Sequence, residues 1–447
     1  MKNTSLIIIS LLFSSWMFSQ EKPNAFTLQD AIDYALTNNR SVKNAARDIE
    51  AAKKQKWETT ASGLPQISGA VDYQNWIKQQ VSLLPAELSG GTPGTFVPVL
   101  FGTKQNVNAT ATLSQLVFDG AYLVGLQSAK VYLEISKNAK IKTDLEVRNA
   151  VINAYGNVLL ASENLEIAKK NIDVLEKNLY ETTKIYENGL GEEESVEQLQ
   201  ITLTGLQNYL NNIKRQDYIA HQMFNITLGI DLNEETILID NLESLTLQNM
   251  SLDILETDDN VENSIDYQIA KNQEESKELL LKLEKTNSLP TLSAFINAGY
   301  SGFSETFSFA NNNQKWYGSS LAGVSLSIPI FSSGMRGAAT QRAQIDLEIA
   351  KEQLTETEQQ LKFQISAAKS DYLFAIAEYE NKRQNLNLAE RIEQKNQTKF
   401  FEGIASSFDL RQAQTQLYSA QQEYLRSMFD VITKKSELET VLNTVNY

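Results

Sequence analysis

Two short stretches gather the side chains that could do chemistry. Glu192, Glu193 and Glu194 follow Gly189 and Gly191, and Asp409 follows Gly403, with Gln412, Gln414, Gln416, Gln421 and Gln422 behind it. Carboxylates at a helix start serve the helix dipole or attract cations; lacking a partner base or nucleophile, they do not catalyse. His221 is the single histidine, so a multi-histidine metal site is excluded, and with nothing to pair it reads as a packed or surface residue. The absence of cysteine excludes disulfides, thiol catalysis and a lipid-modified cysteine. The glycines sit at turns and helix ends rather than in phosphate-cradling loops. No enzyme, cofactor or metal centre is expected. The glutamines would suit a wet, uncharged wall, or only a solvated helix face.

The elements that carry these residues are unusual. Gly334 to Gly403 contains no proline and one interior glycine, Gly337. Its apolar residues Leu347, Ala350, Leu354, Leu361, Ile365, Ala368, Tyr372, Ala375, Tyr379, Leu386 and Ala389 recur at coiled-coil spacing. At about 1.5 Å per residue such a helix spans roughly 100 Å and must stand out from any compact body. The stretch occurs twice: Gly120 to Gly189 has the same length and no proline. Each long helix turns at its glycine into a shorter partner, one ending near Leu228 and one running from about Ser407 to Val441. Ser195 with Gln198 is read as the capping box of the first partner. The second has the seam Leu410, Ala413, Leu417, Ala420, Tyr424, Met428, Val431 and Leu438.

Ahead of each hairpin the same order of elements appears. Phe26 to Ser62 reads as one helix opened by Thr27 and Asp30, and Ile265 to Ser288 as its counterpart, each stopped by a Leu-Pro pair. Strands follow, read at Ile67 to Ile77, from Val107, at Leu292 to Tyr300 and around Ala322 to Ile328. Val107, Ala109, Ala111 and Leu113 alternate with Asn108, Thr110, Thr112 and Ser114, giving one greasy and one wet face. Pro85, Gly90, Gly91, Pro93, Gly94 and Pro98 mark a long exposed loop. The joints are Phe118 with Gly120, and Pro329, Phe331 and Gly334. The chain is thus a tandem duplication: a signal peptide at 1–19, a first repeat at 20–228, an acidic irregular connector at 229–262 and a second repeat at 263–447.

The chain has 447 residues and a net charge of −15, which argues against nucleic acid and anionic headgroups as main partners. Past the signal peptide no segment approaches the roughly 20 apolar residues of a spanning helix, so any membrane span is made of strands. Four strands of about ten residues are long enough to cross an outer membrane but too few to close, and an open sheet would expose unpaired backbone to lipid. Several copies must share one barrel, and three would supply twelve strands.

The opening FTLQDAIDYALTNNRSVKNAARDIEAAKKQKWETTASGLPQIS, the joints VFDG and IPIFSSG and the hairpins YENGLGEEES and FFEGIASSFDLRQAQ resemble the outer-membrane efflux protein (TolC-like) family over nearly the whole mature chain. The Pro85 loop resembles members from Bacteroidetes. The resemblance implies a mainly α fold with membrane β: a homotrimer in outer-membrane lipid, with a shared 12-stranded barrel continued by a helical coiled-coil tunnel through the periplasm. It implies two partners, a periplasmic adaptor and an inner-membrane RND or ABC transporter, for efflux or type I secretion. It places Gly189, Leu190, Gly191, Gly403, Ile404 and Ala405 at hairpin tips that meet the adaptor. Relatives carry acids six and nine residues after the second tip glycine, lining the entrance; here these are Asp409 and Gln412, with Glu192, Glu193 and Glu194 as further candidates. Their latching tyrosine and arginine are replaced by Phe400 and Ala405. The rival is a secreted or surface coiled-coil scaffold or adhesin, which leaves the amphipathic strands unexplained and would extract with salt rather than detergent.

Overall fold

A computed structural model describes residues 25–257 and 259–444; the signal peptide at 1–19 lies outside them. In chain order the elements are β1 (Ala25–Phe26), α1 (Leu28–Asn38), α2 (Arg40–Ser62), β2 (Gln66–Asn75), β3 (Val81–Pro85), β4 (Phe96–Leu100), β5 (Gln105–Phe118), α3 (Gly120–Glu187), α4 (Glu193–Leu228), β6 (Ile237–Leu238), α5 (Leu242–Gln248), α6 (Ile265–Thr286), β7 (Thr291–Ser304), β8 (Trp316–Ser327), α7 (Met335–Phe401) and α8 (Ser407–Leu442). The chain divides into two compact units.

The helical unit takes the described residues up to Arg47, Asn138–Gln268, and those from Glu356 onward. Its core gathers Phe26, Tyr155, Phe224, Leu242, Tyr372, Val431 and Leu438, all at most 1% exposed. Tyr372 is one of the residues placed on the α7 stripe by spacing, and its hydroxyl donates towards the Asn249 and Ser251 carbonyls at 2.6 and 2.8 Å, tying the connector to α7. Burial pushes that phenol up to about 12. Tyr155 makes a second tie to the connector, its hydroxyl within reach of the Phe26 carbonyl and the Asp240 carboxylate.

Two local features differ from the expectation. The first helix is two, broken at Asn39, whose side chain accepts from Ser41 N at 2.7 Å and donates to the Thr227 carbonyl at 2.7 Å. Asn39 thereby starts α2 as a cap, which a continuous apolar pattern conceals. The capping box at Thr27 and Asp30 does form. The connector is more ordered than irregular: β6 pairs with β1 in parallel, and α5 is capped by Asn241. Asp258 of this connector lies outside the described residues.

The sheet unit takes Asp48–Lys137 and Ile269–Thr355. Its four strands pair in the order β2-β5-β7-β8, all antiparallel, so that β2 and β8 are edges. The strands run longer than the spacing alone marks, β7 ending at Ser304 and β8 beginning at Trp316. Within the expected Pro85 loop the chain instead forms a second hairpin, β3 with β4, joined through a turn at Ala86–Ser89. Packing of α3 on α6 centres on Val124, Val131 and Leu279, and of α7 on α6 on Leu281, Ala343 and Leu347.

Candidate functional site

The register fixes what each face of the sheet presents. Val71 stands opposite Ala109, Ala109 opposite Tyr300 and Tyr300 opposite Gly318; Leu113 stands opposite Ile296, and Ile296 opposite Ala322. Because side chains alternate, these residues share one face, with Ile67, Val324 and Leu326. It is almost wholly apolar and open along its outer strands, where Ile67 is 79% exposed, Val71 74% and Val324 69%, while Val107 on the inner strand β5 is covered by its neighbours. The other face carries Ser68, Asp72, Gln74, Asn106, Asn108, Thr110, Thr112, Asn297 and Ser325, interrupted by residues such as Phe295 and Leu321. Its amides bond laterally, Asn297 Nδ2 donating to Thr112 Oγ1 at 2.9 Å. An apolar face of this extent has no stable place in water, whereas the polar face does.

Three glycines in β7 and β8 are covered by cross-strand aromatics. Phe295 lies over Gly323, Tyr300 over Gly318 and Trp316 over Gly302, with ring atoms 2.7, 3.1 and 3.1 Å from where a Cβ would stand. Aromatic cover restores contacts that a glycine in a strand forfeits. Spacing alone gave no sign of these pairs.

At the ends of the long helices the duplication is visible in the backbone. Gly189 and Gly403 both adopt φ +73. The amides of Gly189 and Leu190 donate to Tyr186 and Ile185 carbonyls at 2.8 and 3.0 Å; those of Gly403 and Ile404 donate to Phe400 and Lys399 at 3.0 and 2.8 Å. Each helix therefore ends in the same Schellman motif, with the exposed apolar residue Leu190 or Ile404 just past the glycine. Ala405 adds a second amide on the Lys399 carbonyl. Gly191 has room for a Cβ only 3.1 Å from Ile185 and no positive φ.

The following helix starts differ. Ser406 and Asp409 form a capping box, with Asp409 N donating to Ser406 Oγ at 3.2 Å and Ser406 N donating to Asp409 Oδ2 at 3.0 Å. The Ser406 bonds hold the Asp409 carboxyl below the usual aspartate range. Helix α4 instead begins at Glu193 with Glu192 in the cap position and no side-chain cap bond, so the expected Ser195–Gln198 box is absent. Gln198 donates to Glu194 at 2.9 Å, and its oxygen accepts from Ser407 of the second hairpin at 3.3 Å. Glu192, Glu193, Glu194, Asp409 and Gln412 are exposed.

Not all the α8 glutamines face water. Gln421 accepts from Asn171 at 2.8 Å across the α3–α8 seam, and Gln414 is 1% exposed. At the second joint Gly334 has φ +83 and Phe331 is 85% exposed. Gly120, its counterpart in the first repeat, is needed for a different reason: a Cβ there would stand 2.9 Å from Thr286. Asp119 accepts from Ala121 N at 2.7 Å and caps α3, while Phe118 is half open to solvent.

The sequence matches the family described as outer membrane efflux protein over residues 31–225 and 260–444, one match per repeat. The chain belongs to the outer membrane efflux protein family. No curated protein matches it. Among solved structures it resembles CusC, at TM-score 0.75 and 16% identity, covering 93% of this chain and 91% of that one. It also resembles VceC from Vibrio cholerae, at 0.71 and 16%, covering 93% and 95%. The open-state MtrE channel from Neisseria gonorrhoeae follows at 0.68 and 16%, covering 93% and 88%. At such identities the likeness establishes the fold. As an outer membrane efflux protein, the chain is an outer-membrane conduit reaching into the periplasm and not an enzyme. The scaffold reading falls with that membership.

Proposed function

We propose that three copies share one barrel in the outer membrane, and that the resulting channel takes substrates from an inner-membrane RND or ABC pump, through a periplasmic adaptor, to the exterior. The observation that carries this reading is the four-stranded sheet, whose apolar face is open along its outer strands and whose two edges, β2 and β8, are unpaired. Lipid covers the apolar face, but hydrocarbon does not satisfy unpaired backbone. Three copies of four strands supply twelve, joining β8 of one copy to β2 of the next. The protein is expected to need detergent for extraction and to give a trimer mass by native measurement. A stable monomer in detergent overturns the shared barrel.

In this reading Gly189, Leu190 and Gly191, with Gly403, Ile404 and Ala405, form the surface that meets the adaptor. Leu190 and Ile404, 81% and 71% exposed, are the apolar contacts it would bury. Asp409, Gln412 and the Glu192 to Glu194 run line the periplasmic entrance. The Ser406 bonds lower the pKa of Asp409, so its charge persists to lower pH than that of a free aspartate. By the same sign, the stability its ionised form lends the α8 cap is present above the unfolded pKa and lost as pH falls through the folded one. Like charges about a threefold axis act the other way and raise the apparent pKa of the ring.

Single channels in planar bilayers are expected to prefer cations and to be blocked by multivalent cations added on the periplasmic side, with block easing at low pH. Asp409→Asn keeps the shape of the cap and removes one charge per copy, so block and selectivity should fall together. If both are unchanged, Asp409 is a helix cap only and the Glu192 to Glu194 run carries the entrance charge.

A further inference from the structure

The β3–β4 hairpin is inserted between β2 and β5 at the end of the sheet away from the helices. Asn75 pairs with Gln105 at that end, while Gln66 pairs with Ser114 at the helix end. The ladder continues outward through Trp76 N, which donates to the Lys104 carbonyl at 2.9 Å. The tip is held by Ala86 N on the Thr95 carbonyl at 2.9 Å, Gly91 N on Ala86 at 2.8 Å and Gly94 N on the Glu87 carboxylate at 3.0 Å. This is an ordered two-stranded ribbon.

Both faces of the ribbon are largely apolar: one carries Ser82 opposite Val99 and Leu84 opposite Val97, with Leu84 and Val99 half-buried, and the other is the more open. Val81 opposes Leu100, Leu83 opposes Pro98 and Pro85 opposes Phe96, so this more open face consists of six apolar residues. All six are exposed: Val81 50%, Leu83 65%, Phe96 62% and Leu100 57%, with both prolines open as well. From 79 to 103 the only charged residue is Glu87. A lone two-stranded ribbon is marginal in water, and an uncharged apolar face on it demands a cover.

We propose that the ribbons of three copies pack on one another through this face and form an apolar cap at the exit of the channel. The proposal rests on the shared-barrel reading. Hydrocarbon is a poor cover, because among the described residues β3 and β4 pair only with each other and their outer edges would enter lipid unsatisfied. Pro85 and Pro98 remove donors and oppose pairing edge to edge, which leaves the face for association. The ribbon rises beside β2, the edge strand at which the next copy joins. Threefold symmetry therefore brings three identical ribbons to the same end of the barrel at high effective concentration. An uncharged apolar constriction resists the passage of water and ions and gates by dewetting.

The chain lacks cysteine, so Leu83→Cys supplies a single thiol in each copy. A short bis-maleimide added to purified trimer in detergent should link chains in this variant and not in Ser319→Cys, which sits on the wet face of β8. Leu83→Asp combined with Phe96→Asp should raise single-channel conductance or open probability several-fold. A trimer of normal mass that neither cross-links at position 83 nor changes conductance in the double variant overturns the cap and leaves the shared barrel standing. Protection of the introduced thiol only when lipid or another outer-membrane protein is restored also overturns it, in favour of that occupant. A monomer in detergent removes both readings together. The cross-link arm does not depend on whether the double variant folds.

Discussion

Gly299→Val is expected to remove the assembled protein from the outer membrane. Gly299 lies in β7 opposite Thr110, and a Cβ there would stand 2.5 Å from the Ala109 carbonyl oxygen and 3.0 Å from the Thr110 methyl. The first of these neighbours is backbone in the middle of the β5 ladder and cannot swing aside as a side chain does. Overpacking of this kind costs about 1–3 kcal/mol, and more where backbone must move. The same glycines give an internal scale. Gly323→Val meets only the Phe295 ring at 2.7 Å, which has rotamer freedom, and Gly69→Val has nothing nearer than 3.9 Å. Immunoblots of outer-membrane fractions should therefore rank Gly69→Val near wild type, Gly323→Val lower and Gly299→Val lowest. Equal levels of all three would show that the β5–β7 pair is looser than the register requires.

Gly403→Val should abolish export while leaving protein level and trimer mass unchanged. At φ +73 an L-residue carries about 1–2 kcal/mol of strain, and a β-branched side chain more than most. Among the described residues nothing lies within 4 Å of where the Cβ would stand, so the strain is conformational rather than steric crowding with neighbours. It is confined to the turn, far in sequence from the core at Tyr372 and Val431. Gly403→Asn tolerates the left-handed region and should retain most transport. Export of a pump substrate by cells lacking their own copy separates the outcomes. Full export with valine would show that tip geometry is irrelevant to docking, and loss with asparagine as well would point to the missing flexibility of glycine instead.

The larger features were legible because each rests on a repeating physical rule. Period-two alternation in β5 survives because one face meets polar surroundings, and Gly189 and Gly403 stand at equal offset because each ends a long helix in the left-handed conformation. What escaped depends on partners distant in sequence or on a competition decided by a single residue. Asn39 breaks a helix that its neighbours would continue, because its amide is also held by Thr227, far along the chain. Ser195 and Gln198 match a capping pattern, yet Glu193 has already started the helix. The prolines and glycines from Pro85 to Pro98 look like loop formers and in fact bound a ribbon, since Pro is compatible with an edge strand. Gln414 and Gln412 are alike in type and two residues apart, but one is buried among the helices and the other faces solvent.

The unlike starts of α4 and α8 bear on the order in which the hairpins acquire structure. Both preceding helices stop by the same local motif, so each chain reversal is encoded by a few neighbouring residues. Only α8 then begins with a reciprocal cap, available before any distant contact exists. Helix α4 has no such start and relies on burial of Val196 and Leu199, which wait for the partner helices. The second hairpin is therefore the better nucleus although the ribosome makes it after the first, and the first turn of α4 should fray earliest in native-state hydrogen exchange.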